Sequence, residues 1–204
     1  PTGITVRYKG ATSHAAEPER GNNPAQAVSE LINRFSAVPQ VYVPLHESAK
    51  VTVINAVLGE EAFGTSPGVA RISATLRAYS PEIIKVLKEN CFGLAKKTGQ
   101  CWDLQTEIEW REEFPATVNK KDAVDIIVRA AENSGLEIYQ KEIPFPWSED
   151  FGHFTKMCTG ALFGLGSGEN HPPLHHPSYD FPDELLEKGI NIFHNIIRQL
   201  IIDN

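Results

Sequence analysis

The segment VARISATLRAYSPEIIKVLKENCFGLAKKTGQCWDLQTEIEWR, residues 69–111, contains a complete strand–helix–strand pattern. In residues 69–79 apolar and polar side chains alternate, which predicts a strand buried on one face. The sequence Ser-Pro-Glu at residues 80–82 is a typical helix start, and apolar residues at helical spacing continue to Gly99, the expected helix end. Residues 102–111 alternate strictly again and predict a second strand.

The residues before this segment add one more helix and two more strands. Residues 4–8 alternate as a strand with one buried face. Asn23 is a typical N-cap for a helix that we expect to end before Pro39, and residues 51–58 form a further β-like run. The order β-α-β-β-α-β over residues 1–115 predicts an α+β fold of the ferredoxin-like type, with a four-stranded antiparallel sheet and both helices on one face.

One predicted strand is unusual because it is apolar on both faces. Residues 51–57 read VTVINAV, so neither face of this strand has the consistently polar side chains of a solvent-exposed face. A strand of this kind is expected to meet something beyond its own helices. We expect that partner to be a second copy of the domain.

Residues 116–204 have a different character. Asn119 is expected to cap a helix that closes at Gly135, and residues 136–139 and 161–166 are short strand candidates. A final helix has a broad apolar face. Alternating elements of this kind are typical of an α/β domain, but two short strands are too few for a complete parallel sheet. This part is therefore predicted to be an incomplete α/β segment.

Composition restricts the classes of partner. Of the 204 residues, 19 are Lys or Arg and 26 are Asp or Glu, so the net charge is −7 and phosphate backbones and anionic membranes are not expected partners. The apolar stretches are all shorter than the ~20 residues of a membrane span. The three cysteines have no CxxC spacing, which favours a reducing compartment, and we expect the cytoplasm. Because residue 1 is not Met, the true start is expected upstream.

Three of the seven histidines lie in one loop. His171, His175 and His176 fall in the stretch SGENHPPLHHPSYDF, residues 167–181. Imidazole is the commonest metal ligand, so the loop is either a metal site or a surface loop that contains histidine, and spacing leaves both open. Zinc needs three or four ligands, and no HExxH or HxH pair occurs here. If His175 binds a metal, the other ligands must come from outside this chain or from residues that the sequence does not pair with this loop.

Two other residues have chemistry that a site could use. His14 lies in the loop after the first strand, where a histidine is by default a solvated residue. Arg77 lies on the polar face of its strand, where it is by default a solvated cation or a partner for Glu107 or Glu109. Neither residue identifies a reaction by itself.

Several stretches together resemble a known family. They are GITVRYKGATSHAAEPERGNNP at 3–24, PGVARISATLRAY at 67–79, SEDFGHF at 148–154, LFGLGSG at 162–168 and PLHHPSYDF at 173–181. In this order they resemble the co-catalytic zinc amidohydrolases and peptidases, the group of aminoacylase, hippurate hydrolase, acetylornithine deacetylase and glutamate carboxypeptidases. The first two resemble that family's dimerisation (lid) domain, and the others the closing segment of its catalytic domain.

The resemblance implies a division of the chain and an activity. Residues 1–115 would be the lid, and residues 116–204 the carboxy-terminal part of the catalytic domain, whose first half carries most metal ligands and is absent here. The intact enzyme would be a homodimer with two zinc ions per site that hydrolyses the amide bond of an N-acyl amino acid or a short peptide. This fragment alone would be inactive and would hold no complete metal site.

The resemblance also implies roles for three residues. His14 would reach the partner protomer's site and stabilise the oxyanion, Arg77 would hold a substrate carboxylate, and His175 would be the last metal ligand. One stretch departs from the family pattern: where many members have Asn-Val-Ile-Pro-Asp, residues 64–68 read GTSPG. A lid amide that contacts the substrate is therefore not expected in this chain.

Two alternatives remain at this point. The chain is either part of such an amidohydrolase, or a non-catalytic dimerisation or binding module in which the histidines have no role. An aminopeptidase of the same family is a third possibility, separable only by substrate profiling. A continuous upstream reading frame with an HxD motif and a Glu-Glu pair would favour the enzyme, and a stop codon would favour the module.

Overall fold

The computed structural model describes residues 1–202, and the chain contacts divide it into two compact units, Pro1–Ala116 and a second unit from Thr117 onward. The elements of the first unit follow one another in the predicted order, with two very short strands added. They are β1 Thr2–Lys9, β2 Ser13–His14, α1 Ala25–Tyr42, β3 Ala49–Leu58, β4 Thr65–Ser66, β5 Val69–Ala78, α2 Pro81–Cys101 and β6 Gln105–Arg111.

The main sheet of the first unit has four strands in the order β3-β5-β1-β6, and every neighbouring pair is antiparallel. Strand β5 thus lies between β1 and β3, the two strands that α1 connects. This is the split β-α-β arrangement, and it confirms the predicted ferredoxin-like fold. Strand β3 is at the sheet edge and carries a bulge between Val53 and Asn55.

One face of this sheet forms the core with both helices. The alternation predicted for β1 and β5 and the helical stripes predicted for α1 and α2 all meet there. The fully buried members include Ile4, Val6, Tyr8, Leu31, Phe35, Ile72, Leu76, Leu87, Cys91 and Ala95. Burying a large aliphatic or aromatic side chain contributes roughly 1.5–3 kcal/mol, so this layer is the main source of stability for the unit. The Tyr8 hydroxyl donates to the Ala95 carbonyl at 2.8 Å, which satisfies the one polar atom that Tyr8 buries.

Two predicted boundaries were wrong. Helix α1 does not end before Pro39 but continues to Tyr42, because Val38 is buried against the core and the Val43 N–H donates to the Pro39 carbonyl at 3.1 Å. A proline in the last turn removes only one of the final helical hydrogen bonds.

The second wrong boundary lies between α2 and β6. Helix α2 runs two residues past Gly99, and the strand predicted from residue 102 starts at Gln105. A turn occupies the residues between them, with Asp103 at φ +51° and the Leu104 N–H donating to the Gly99 carbonyl at 2.8 Å. A left-handed residue cannot continue either element.

The second unit is helical in the residues that the structure describes. Its helices are α3 Lys121–Asn133, α4 Gly152–Met157 and α5 Glu184–Ile202. Helices α3 and α5 pack together, and Arg129 Nε donates to Gln199 Oε1 at 2.9 Å between them. None of the helices described is long and apolar enough to cross a bilayer.

The strands predicted in the second unit do not form. Residues 136–139 and 161–166 are irregular within the described chain, because a strand needs a neighbour to satisfy its backbone groups. Asn119 does not cap α3 either. Its side-chain amide bonds the Leu162 N–H and carbonyl, each at 2.9 Å, as a neighbouring strand would.

The three cysteines should differ sharply in reactivity. Cys91 is buried in the core, and this burial raises the pKa of its thiol to about 12, whereas Cys101 and Cys158 are exposed. Because the thiolate is the nucleophile, a thiol reagent in mildly alkaline buffer should label two cysteines quickly and the third only on unfolding. A Cys101→Ala variant should show one fast thiol. Three fast thiols in the native protein would contradict the buried position of Cys91.

Candidate active site

His14 lies on a small ribbon that is separate from the main sheet. Strands β2 and β4 pair antiparallel, with Ser13 opposite Ser66 and His14 opposite Thr65. One residue further along, the Ala15 N–H donates to the Gly64 carbonyl at 3.0 Å. The two segments predicted as loops are therefore joined, and His14 sits on a hydrogen-bonded element rather than on a free loop.

Close backbone contacts hold this ribbon against the main sheet. A Cβ on Gly68 would lie 2.5 Å from the Thr12 nitrogen, so only glycine fits at this position. The Gly10 N–H donates to the Gly68 carbonyl at 2.8 Å, and Asn23 Nδ2 donates to Ser66 Oγ at 3.1 Å. These contacts explain the glycine that ends the GTSPG stretch, and they restrict the positions that His14 can take.

The imidazole of His14 has a defined tautomer. Its Nδ1 accepts the backbone N–H of Ala16 at 3.0 Å, so in the neutral ring the proton must be on Nε2. The residue is exposed, and no hydrogen bond from Nε2 is found among the residues that the structure describes, so the Nε2–H is an accessible donor. A neutral donor of this kind is suited to a developing oxyanion.

Arg77 lies on the face of the sheet opposite to α1 and α2. It is an exposed residue near the end of β5, in register with Lys50 of β3. The carboxylate of Glu109, which the sequence offered as a partner, accepts hydrogen bonds from Arg111 Nη2 at 2.9 Å and Arg7 Nη1 at 3.1 Å. Together these bonds, that from Arg111 first, lower the pKa of Glu109.

The structure does not bring His14 and Arg77 together within one protomer. Strand β5 begins at Val69, close to the ribbon, and Arg77 lies eight residues further along it. At about 3.3 Å per residue, the strand from Val69 to Arg77 is about 26 Å long, which exceeds the length of an N-acyl amino acid. We therefore expect that one small substrate does not contact both residues of one chain.

His175 belongs to the second unit and has an unusual backbone conformation. Its φ of +69° is in the left-handed region, which is uncommon for a residue with a side chain and is found preferentially at functional sites. The neighbouring His176 uses Nδ1 to accept the Ser178 N–H at 3.1 Å, so its Nε2 carries the proton and is not available to a metal. No hydrogen bond to the His175 ring is found in the part of the chain that the structure describes.

His171 has the opposite tautomer. Its Nδ1 lies 3.0 Å from the Pro172 carbonyl, which only accepts, so the Nδ1 carries the proton. The ring also lies edge-on to Tyr179, with the centroids 5.1 Å apart. No group of three or more His, Cys, Asp or Glu residues between residues 1 and 202 is placed to hold a metal ion. The described residues therefore bring fewer than three such ligands together at any one place, and this donor set does not make a complete metal site.

The family model for peptidase family M20/M25/M40 matches residues 6–199. The chain therefore belongs to this family, which includes hydrolases and peptidases, and the resemblance found in the sequence is confirmed. A hippurate hydrolase from Campylobacter jejuni is 30% identical over 193 residues, which covers 93% of this chain and 49% of that protein.

Solved structures share the fold. A tripeptidase from Staphylococcus aureus matches with a TM-score of 0.71 and 20% identity, over 96% of this chain and 50% of that one. A dinuclear metal binding peptidase of the M20 family from Bacillus subtilis matches with a TM-score of 0.63 and 19% identity, over 96% and 48%. The chain spans about half the length of the relatives it matches.

The ribbon that carries His14 has no clear signal in the sequence. Phe63 belongs to the stretch GEEAFGTSPG, which reads only as a connecting loop, yet its turn leads directly into β4. Two-residue strands have no detectable alternation, so periodicity cannot find them. In the sequence, the only unusual feature of this loop is an aromatic residue among Gly and Glu residues.

The histidine tautomers can be measured directly. For the neutral rings we expect the Nε2–H form at His14 and His176 and the Nδ1–H form at His171. Long-range ¹⁵N–¹H NMR correlations distinguish the two forms, and His171 is an internal control for the assignment. An Nδ1–H form at His14 would contradict the hydrogen bond from Ala16 and remove the exposed Nε2–H donor.

Proposed function

We propose that this chain is the lid domain (residues 1–115) and the carboxy-terminal part of the catalytic domain (residues 116–204) of a metal-dependent amidohydrolase. Its substrate would be an N-acyl amino acid or a short peptide, and its compartment the cytoplasm. The observation that carries this proposal is the exposed Nε2–H donor of His14, held by the Ala16 N–H on a braced ribbon. Membership of a family of hydrolases and peptidases supports it.

In this proposal two residues of the first unit act on the substrate. The Nε2–H of His14 donates a hydrogen bond to the oxygen of the scissile carbonyl, and this hydrogen bond strengthens as negative charge develops on that oxygen. The guanidinium of Arg77 holds the carboxylate of the amino-acid part, for which its planar fork is suited. The metal pair, proposed to be zinc, would polarise the carbonyl and lower the pKa of a bound water. His175 would be one of its ligands, and the others would come from residues outside this chain.

The separation of His14 from Arg77 supports a homodimer in which each site takes residues from two protomers. Since about 26 Å of strand lies between them, a substrate held by Arg77 of one protomer needs its oxyanion donor from the other. The edge strand β3 is the proposed interface. Its bulge residue Ile54 is 65% exposed and Val57 is 40% exposed, so apolar side chains face outward where a second copy would pair.

The alternative is a non-catalytic dimerisation or binding module in which the histidines have no role. The described residues form no metal cluster, which both proposals expect of this chain alone. The upstream reading frame separates the two proposals, because only the enzyme requires a preceding half with the remaining ligands.

Replacement of His175 tests its proposed role as a ligand. In the full-length protein, His175→Ala should lower both bound metal and activity, because an essential ligand is lost. His176→Ala should leave both nearly unchanged, since its Nδ1 already binds the Ser178 N–H. Metal content by mass spectrometry and hydrolysis rates give the two readouts. Loss of metal in His176→Ala alone would assign the ligand to the neighbouring residue.

Replacement of His14 tests the oxyanion donor. His14→Ala should lower kcat by roughly 10²- to 10³-fold with little change in KM or metal content, because the donor acts mainly in the transition state. If His14 is only a solvated residue, its replacement would change neither kcat nor KM.

Subunit mixing tests whether that donor comes from the partner protomer. Inactive His14→Ala and His175→Ala subunits, when mixed, should recover part of the activity, since each heterodimer then contains one complete site. If heterodimers form, as native mass spectrometry can show, and no activity returns, the donation across the interface is refuted.

A further inference from the structure

A group of basic side chains lies on the face of the main sheet opposite to α1 and α2. Arg7 of β1 is directly opposite Arg71 of β5, and Lys9 is two residues further along β1 on the same face. These three residues line a cavity of about 420 Å³, to which β6 contributes Gln105 and Glu107. A cavity of this volume is within the range of sites that bind small molecules.

The pairing of Arg7 with Arg71 is unfavourable in the protein alone. Residues directly opposite each other in an antiparallel sheet have Cα atoms about 4.5–5.5 Å apart, and like charges in these positions destabilise the sheet. The Nη1 of Arg7 donates to Glu109 Oε2 at 3.1 Å, which compensates its charge. The Nη2 of Arg71 donates to the neutral amide of Asn55, beside the bulge in β3, at 3.4 Å. No ion pair of Arg71 is found among the residues that the structure describes.

The charges of the cavity select the class of ligand. Its lining contains three cations and one acid, Glu107, so a ligand with two negative charges would neutralise it. Each guanidinium donates through a planar fork, and two forks on neighbouring strands offer more N–H groups than one carboxylate can accept. A phosphate group has a charge of about −2 and three acceptor oxygens. A phosphate group therefore matches both the charge and the donors of this cavity.

We propose that Arg7 and Arg71 form a binding site for a phosphate group, carried by inorganic phosphate or by a phosphomonoester, with Lys9 as a further cation in the same cavity. Val57 and Val69 also line this cavity, so it offers an apolar wall to the organic part of a phosphomonoester. All of these residues belong to the first unit. The site does not depend on the proposed hydrolase activity.

Calorimetric titration of the full-length protein at low ionic strength tests this site, with inorganic phosphate and glycerol 3-phosphate as the ligands. Arg71→Gln should raise the Kd roughly tenfold or more, because a charged, forked donor is lost. Arg71→Lys should give an intermediate Kd, since it keeps the charge but not the planar fork. Glu107→Gln should lower the Kd roughly two- to fivefold, the range for one exposed charge pair, because the acid of the cavity is removed.

Two controls separate this site from other attractions for phosphate. Lys85→Gln is the matched control, since it also removes one exposed positive charge, but from α2 on the other face of the sheet. It should leave the Kd nearly unchanged. Phosphate bound by the proposed metal pair would persist in Arg71→Gln, so only the binding event that this variant removes is assigned to the cavity.

The two ligands distinguish the sources of the phosphate group. Tighter binding of glycerol 3-phosphate would identify a phosphomonoester as the ligand, and equal or weaker binding would identify inorganic phosphate; both results support the site. If Arg71→Gln leaves binding unchanged, or if Lys85→Gln weakens it equally, the site is wrong. Succinate binding as tightly as phosphate would overturn the assignment to a phosphate group. Binding that depends on Arg71 in a protein without amide hydrolysis would refute the proposed function and support the site.

Discussion

The burial of one face of β1 and β5 against α1 and α2 is the constraint on which the first unit depends. Because β1 lies between β5 and β6, its register aligns both of these strands. The burial of Ile4, Val6 and Tyr8 excludes a shift by one residue, which would expose all three. The ribbon with His14 and the distant position of Arg77 both follow from this register.

This main layer could be predicted because its signals are repeated and local. Alternation in β1 and β5 and the helical stripes of α1 and α2 each extend over many residues and agree with one another. The ribbon could not be predicted, because its four residues show no period. Its geometry depends on Gly68. That this position has no room for a Cβ is apparent only in the folded chain, where Thr12 lies next to it. Local patterns thus predict the scaffold, whereas the site depends on contacts distant in sequence.

In the second unit a correctly predicted apolar stripe remains largely exposed among the residues that the structure describes. Helix α5 has the predicted apolar stripe, but Ile190, Phe193 and Ile197 on it are all more than half exposed. The residues predicted as strands are irregular, and the side chain of Asn119 binds the Leu162 backbone in place of a neighbouring strand. Both features lie in a chain that spans about half the length of its relatives, and they are compatible with the proposal that this unit is part of a larger layered domain.

In His14, His171 and His176, a hydrogen bond with a backbone group determines which ring nitrogen carries the proton. A backbone N–H at Nδ1 leaves the proton on Nε2 in His14 and His176, and a backbone carbonyl at Nδ1 does the reverse in His171. Hydrogen-bond donation and metal binding through the same ring nitrogen need opposite tautomers, so Nε2 of a neutral histidine can perform only one of these roles. Sequence spacing cannot separate them, because the deciding backbone atom is one or two residues away and depends on the turn. The Nε2–H tautomer of His14 thus follows from the turn that places the Ala16 N–H at its Nδ1.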